Sequence, residues 1–330
     1  MLEQMESNTS GKLGGKEMSL DEAAKWLEPG SLAELAELMA RATGLREKAQ
    51  GNEVEFCAIV NARSGRCSED CAFCAQSSHY QTKALVHSLL EVDEIVNRGR
   101  AAARAGALRF GIVTSGRGCP KGADLDSLCR AAEILRKEKT ILPCASLGIL
   151  APGQAERLKA AGFVRYHHNL ESGPTHFPRI CTTHAYEQRV ETVLMAKEAG
   201  LEVCVGGIVG LGESAWERAE FLKAVADLTP QSIPLNFLNP IPGTKLGSLP
   251  MLSPLKALAA VAVARIMAPR AHLRTCGGRH QVLGSLAPLM HLAGASSTMI
   301  GDYLTTKGQE PTSDVKDIAA LGLNLAGIGK

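Results

Sequence analysis

Cys67, Cys71 and Cys74 stand in the run Cys67-Ser-Glu-Asp-Cys71-Ala-Phe-Cys74. Thiolate is the soft ligand that iron–sulfur clusters select. Three thiolates on one short loop hold three irons of a four-iron cluster and leave the fourth open to another ligand, just as an open position separates catalytic from structural zinc. The competing reading is a structural zinc site, which usually takes two ligand pairs. No second Cys or His pair follows at that spacing, although His79 lies close enough in sequence to close a tetrahedral site. Three tightly spaced thiolates fit a cluster better. Disulfides are a weaker reading still. The chain reads as having no signal peptide and as cytoplasmic, where such cysteine groups bind metal or act in catalysis.

Four further cysteines, Cys57, Cys144, Cys204 and Cys276, fall within short apolar runs. The elements that must position them alternate along the chain. Two helices are predicted at 19–27 and 31–48, with Ser19 and Ser31 as N-caps followed by acidic first turns. Strands are predicted near 55–60, 108–113, 141–147, 163–168, 202–208, 233–238, 271–276 and 297–301. Helices fall between them near 91–106, 123–138, 152–161, 186–199, 214–227, 254–267 and 281–293, several ending on Gly. Eight strands alternating with helices imply a single (β/α)8 TIM-type barrel with an N-terminal helical extension, with an open doubly wound sheet as the alternative. The organisation read from this is a disordered stretch over 1–17, N-terminal helices over 18–50, and the barrel with a C-terminal tail over 51–330. A barrel carries its active site at the C-terminal ends of its strands, and the Cys67 loop follows the first.

Barrel interiors fill in layers contributed by alternate strands. Cys57, Cys144, Cys204 and Cys276 belong to predicted strands one, three, five and seven, so one thiol from each would form a single interior layer and a closed second metal site. The plainer reading treats each as a small buried hydrophobe. Arg274 shares the strand face of Cys276. A buried Arg is costly without a partner, and an anionic cluster would supply one; Arg109 on the second strand is a similar candidate. Cys119, Cys129 and Cys181 show no such pattern and read as structural or incidental.

Composition narrows the rest. Net charge is +2 and aromatic content 4%, which gives no electrostatic case for nucleic acid or a membrane surface. No apolar run reaches transmembrane length. Ten cysteines without a secretory leader ask for a metal explanation. The Gly-rich run at 206–212 does not fit the dinucleotide fingerprint. No general-base triad is apparent.

The Cys67–Cys74 motif on a barrel background resembles the radical S-adenosylmethionine superfamily. Further runs narrow this to the biotin synthase family over roughly residues 50–310: Tyr166-His-His-Asn169-Leu-Glu171, Thr182-Thr-His-Ala-Tyr186-Glu-Gln-Arg189, Cys204-Val-Gly-Gly-Ile208-Val-Gly-Leu-Gly-Glu213, Ile233-Pro-Leu-Asn236-Phe-Leu with Gly243-Thr244, and Ala262-Val-Ala-Arg265-Ile-Met. The resemblance implies that Cys67, Cys71 and Cys74 hold a [4Fe–4S] cluster whose open iron binds S-adenosylmethionine. Phe73 and Ile208 would lie near its adenine, Asn169 and Glu171 near its ribose (where Asp is commoner in the family), and Arg189 near its methionine end. Asn169 and Asn236 would hydrogen-bond the ureido ring of dethiobiotin, for which an amide, both donor and acceptor, is apt. The implied reaction is sulfur insertion into dethiobiotin by a 5′-deoxyadenosyl radical. Its electron would come from a reducing protein such as flavodoxin or ferredoxin, and the enzyme would be a homodimer.

The resemblance carries one departure, which reads as an atypical member. The family's usual auxiliary [2Fe–2S] cluster takes three cysteines and an arginine. Cys144, Cys204 and Arg274 match, but the remaining cysteine position falls on Gly111, while Cys57 and Cys276 stand where serine is usual. The expectation is a four-iron auxiliary cluster on Cys57, Cys144, Cys204 and Cys276 with Arg274 beside it. The alternative is a [2Fe–2S] cluster that keeps Arg274 as a ligand. Rival functions are a hydrogenase-maturation or carbon-skeleton rearranging relative, which Thr114-Ser115-Gly116 resembles, and a non-catalytic iron–sulfur carrier.

Overall fold

A computed structural model of the chain describes residues 18–327, so the disorder expected over 1–17 lies outside the described residues. Its strands are β1 (Glu53–Arg63), β2 (Arg109–Thr114), β3 (Leu142–Ser146), β4 (Arg165–His167), β5 (Glu202–Cys204), β6 (Gly207–Val209), β7 (Ser232–Phe237), β8 (His272–Thr275), β9 (Ser297–Met299) and β10 (Asn324–Leu325). All pairings between them are parallel, and β1 pairs with both β2 and β9, which closes the sheet into a barrel. The open doubly wound sheet is thereby excluded.

Two of the ten strands add no stave. β5 and β6 are halves of the strand expected at 202–208. The chain breaks at Gly206, where an added Cβ would sit 1.9 Å from the Pro234 carbonyl oxygen, so only glycine allows so close an approach to β7. β10 lies at the very start of β1, with Glu53 opposite Asn324, and was not anticipated.

The helices are α1 (Leu20–Trp26), α2 (Leu32–Gln50), α3 (Val92–Arg104), α4 (Gly122–Glu138), α5 (Gln154–Ala160), α6 (Phe177–Ile180), α7 (Tyr186–Glu198), α8 (Ala215–Asp227), α9 (Pro254–Met267), α10 (Arg279–Leu283), α11 (Leu289–Leu292) and α12 (Pro311–Ala320). Ser19 and Ser31 cap α1 and α2 as expected, each accepting at 3.2 Å from the amide three residues on. The helix expected over 281–293 is instead α10, a single 3-10 turn and α11. Gly284, at φ +53°, ends the first piece, and Pro288 has no N–H with which to continue it.

The period of two along β1 sets the two sides of the wall. Phe56, Ala58 and Val60 pack into the core beneath the helices, while Cys57 and Ile59 line the interior. α2 covers α9, whose residues 257–265 are buried all round. Within that layer Arg265 has no carboxylate partner among the described residues. Its guanidinium donates to the carbonyls of Gly294, Pro269 and Ala271 and to Ser296 Oγ, at 2.8 to 3.1 Å, which satisfies a charge that burial would otherwise make costly.

Candidate active site

The barrel interior is layered. At its floor Glu55, 4% exposed, takes Arg109 Nε at 3.1 Å. Glu202 takes Arg109 Nη1 at 3.3 Å and Arg165 Nη2 at 2.8 Å. Burial alone would raise the Glu55 pKa, but Arg109 and Arg165 outweigh it and hold the carboxyl below its usual range. Arg109, expected beside the thiols, is ion-paired to Glu55 and Glu202 and also lies close enough to Cys144 and Cys57 to act on them electrostatically.

Above this floor Cys57, Cys144, Cys204 and Cys276 are all buried and all line one cavity of about 260 Å³. In the strand register Cys57 lies opposite Arg109, Cys144 opposite Gly111 and Arg165, and Cys204 opposite His167. Cys276 directly follows β8. Gly111 faces the same cavity between Ile59 and Cys144, and an added Cβ there would come within 3.1 Å of the Ile59 side chain.

Arg274 reaches this layer from β8 and donates from Nη2 to Cys204 Sγ at 2.7 Å. His167 Nδ1 lies 3.3 Å from the same sulfur. Burial pushes the Cys204 thiol up, but Arg274 and His167 together bring it down to about 6. Burial instead takes Cys144 and Cys276 up to about 12. Arg274 is buried, its Nε has no hydrogen-bond partner, and among the described residues no carboxylate lies within ion-pair distance of it. Four buried thiols around one cavity, with an under-partnered guanidinium among them, fit an anionic, thiolate-held group.

The loop after β1 carries Cys67, Cys71 and Cys74 to the mouth of the barrel, where Cys74 lines the same cavity. Backbone bonds fold it on itself: Cys67 N donates to the Gln76 carbonyl at 3.0 Å and Ser78 N to the Cys67 carbonyl at 2.8 Å. Gln76 Oε1 accepts from Gly65 N and Ser64 Oγ and fixes the loop's entry. His79 Nε2 lies 3.0 Å from the Ser68 carbonyl and is engaged there. Asp70 latches the loop to the 181–184 segment, accepting from the Thr182 amide at 2.9 Å and the Thr183 hydroxyl at 3.2 Å.

The other expected site residues surround this mouth. Phe73 and Ile208 pack on one apolar cluster with Leu211 and Leu238. Glu171 holds φ +69°, an unusual conformation for a non-glycine residue, and its carbonyl accepts from Ile208 N at 3.0 Å. Arg189 is buried, lies over the Phe177 ring and donates to the Asn169 carbonyl at 2.8 Å. Asn169 and Asn236 both line the cavity. The Asn169 Oδ1 is buried without a partner, whereas Asn236 donates to the Gly207 carbonyl and accepts from Gly277 N. Each amide atom of Asn236 still has one free bonding position.

Sequence reasoning missed Arg165 and His167, although both fall on the inward parity of β4. It also missed a cluster at the mouth. Cys181, expected to be incidental, has its sulfur 3.8 Å from that of Cys71, with Glu69 and His184 close by and buried. No periodicity marks these residues, because they sit on loops.

Comparison with known proteins adds to this geometry. Residues 62–225 match the model of the Radical SAM superfamily, and residues 234–324 match that of the Biotin and Thiamin Synthesis associated domain. The chain is 46% identical to a biotin synthase of Pelobacter propionicus, with 95% of each chain covered. It is 47% identical to that of Pelotomaculum thermopropionicum, covering 94% of this chain and 96% of the relative. With that of Geobacter sulfurreducens it shares 48% identity over 87% and 88%. Among solved structures, methylornithine synthase superposes with a TM-score of 0.83 at 18% identity, covering 95% of this chain and 96% of that one. The FeFe-hydrogenase maturase HydG from Carboxydothermus hydrogenoformans superposes with 0.78 at 20%, covering 94% and 76%. These last two likenesses are of fold alone. The near full-length matches do not bear out the expectation of an atypical member.

Proposed function

The chain belongs to the biotin synthase family, and from that membership we propose how its residues divide the work. It is a radical S-adenosylmethionine sulfurtransferase that converts dethiobiotin to biotin. When bound, the [4Fe–4S] cluster and S-adenosylmethionine supply the radical chemistry, and the protein supplies binding, orientation and exclusion of side reactions.

Cys67, Cys71 and Cys74 would hold the [4Fe–4S] cluster. Phe73 and Ile208 would flank the cosubstrate's adenine, Glu171 and Asn169 would take its ribose, and Arg189 its methionine end. The orphaned Asn169 Oδ1 is an acceptor for a ureido N–H of dethiobiotin, and the free positions of Asn236 serve the same ring from β7. Cys57, Cys144, Cys204 and Cys276 would hold a four-iron auxiliary cluster as the source of sulfur. Arg274 would donate to a thiolate of that cluster and not ligate iron.

The observation that carries this reading is that one cavity is lined by all four of these thiols together with Cys74, Asn169 and Asn236. A substrate in that cavity lies between the two cysteine sets. The alternative of a two-iron cluster that keeps Arg274 as a ligand draws on the short contact from Arg274 to Cys204. A reducing partner such as flavodoxin or ferredoxin, a homodimer and a cytoplasmic location rest on family membership. Among the described residues no helix is long and apolar enough to cross a membrane.

The test is anaerobic reconstitution followed by iron and sulfide analysis, Mössbauer spectroscopy and turnover with dethiobiotin. About eight irons per chain and formation of biotin are expected. About four irons with a two-iron spectral component would overturn the four-iron cluster. Release of 5′-deoxyadenosine without biotin would overturn the placement of the substrate.

A further inference from the structure

His184 has two ring nitrogens with different neighbours. Arg189 Nε lies 2.9 Å from His184 Nε2, and a guanidinium N–H can only donate, so Nε2 must accept. His184 therefore carries its proton on Nδ1, which lies 2.5 Å from Glu69 Oε2. Glu69 stands inside the cysteine loop, between Cys67 and Cys71, and also accepts from Thr183 Oγ1 at 2.8 Å and Ser68 Oγ at 3.0 Å. Glu69, His184 and Arg189 are all at least nine-tenths buried. The result is a directed chain from the cysteine loop, through one imidazole, to the arginine.

We propose that Glu69 and His184 are positioning residues for S-adenosylmethionine: Glu69 fixes the tautomer of His184, and His184 in turn aims Arg189 at the cosubstrate. This inference rests on the reading of Arg189 as a cosubstrate contact. A carboxylate that fixes which nitrogen of a histidine accepts is a recurrent way of orienting a working group. Arg189 is otherwise restrained by the Asn169 carbonyl, the Phe177 ring and an ion pair from Nη1 to Glu171 at 3.8 Å, none of which engages its Nε. The chain also ties the shape of the cysteine loop to that of the cosubstrate pocket, since one carboxylate takes part in both. Glu69, Cys181 and His184 together resemble a metal-binding trio. The proton on Nδ1 argues against that use, because a metal would have to displace it from the nitrogen nearest the other two ligands.

The test uses anaerobically prepared, cluster-loaded protein and S-adenosylmethionine. Affinity is read by equilibrium dialysis, and the cosubstrate-induced change in the reduced cluster's EPR signal is read separately. His184→Ala and Arg189→Ala are each expected to weaken binding by about tenfold or more, and the double variant no further than Arg189→Ala alone. His184→Gln, which keeps an acceptor for Arg189, should recover most of the loss. If the two factors multiply in the double variant, or if His184→Ala binds as wild type, the inference fails while the reading of Arg189 stands. If Arg189→Ala itself binds normally, that reading fails and takes the inference with it. A lower iron content with unchanged affinity per loaded cluster would mean that the pair shapes only the cysteine loop, and would overturn the proposal. So would stoichiometric zinc in the purified protein that is lost in His184→Ala.

Discussion

Arg274 Nη2 lies 2.7 Å from Cys204 Sγ in the middle of the barrel, and this contact joins the seventh stave to the fifth across the cavity. A buried guanidinium there has a purpose only if the sulfur carries negative charge. On the proposed ligand assignment, Arg274→Met should therefore leave the iron held by the Cys67 loop intact, and iron analysis together with the S-adenosylmethionine-dependent EPR signal would verify that. Biotin formation should fall by about 10- to 100-fold, the usual cost of losing a hydrogen bond to a metal ligand. Complete loss of the auxiliary iron in this variant would instead favour Arg274 as a ligand.

Cys57→Ser and Cys276→Ser distinguish the two auxiliary ligand sets. Each should lower the iron content and abolish biotin formation while leaving S-adenosylmethionine binding in place. Cys129→Ser, on α4 in the outer core and away from the cavity, should keep full iron. Its cost should be confined to roughly 1–2 kcal/mol of stability, from burying a hydroxyl. Iron and sulfide determination on the three proteins, side by side, reads the outcome.

The two asparagines should behave differently although both face the cavity. Asn169→Ala removes an unpartnered acceptor and one 3.3 Å hydrogen bond to Glu171, so it should weaken dethiobiotin binding with only a small change in melting temperature. Asn236→Ala also orphans the Gly277 amide, and should cost about 1–3 kcal/mol of stability besides. Thermal melts alongside KM for dethiobiotin separate the two effects.

The floor of the barrel predicts a pH dependence. The folded Glu55 carboxyl sits below its unfolded value because Arg109 and Arg165 outweigh burial. Its contribution is fully present above the unfolded pKa and is lost as pH falls through the folded one. Melting of the metal-free wild type should therefore drop more steeply than that of Glu55→Gln as pH falls below about 4.3. Parallel curves would show that Glu55 is not a source of the acid sensitivity.

The four interior thiols were legible because they fall on alternate predicted strands, and alternate strands of a closed barrel share its interior. Cys57, Cys144, Cys204 and Cys276 were found that way. Arg109 was harder to place. Its place on the second strand made it a candidate beside the thiols, but its partners Glu55 and Glu202 come from other strands, and only the closed barrel brings them together. The cluster of Glu69, Cys181 and His184 was hidden for a stronger reason. Two loops more than a hundred residues apart meet there, and loops have no period to count. The break in the helix expected at 281–293 was written in Gly284 and Pro288, but the apolar run around them masked it.

The four interior thiols belong to staves spread from residue 57 to residue 276. Anything that binds all four cross-links most of the chain, and while bound it removes from the unfolded state the freedom that such long loops would otherwise have. An occupant whose atoms are drawn into product would remove its own cross-link. The barrel is then most tightly fastened before turnover and least so afterwards, so resistance to proteases should rise and fall with the catalytic cycle.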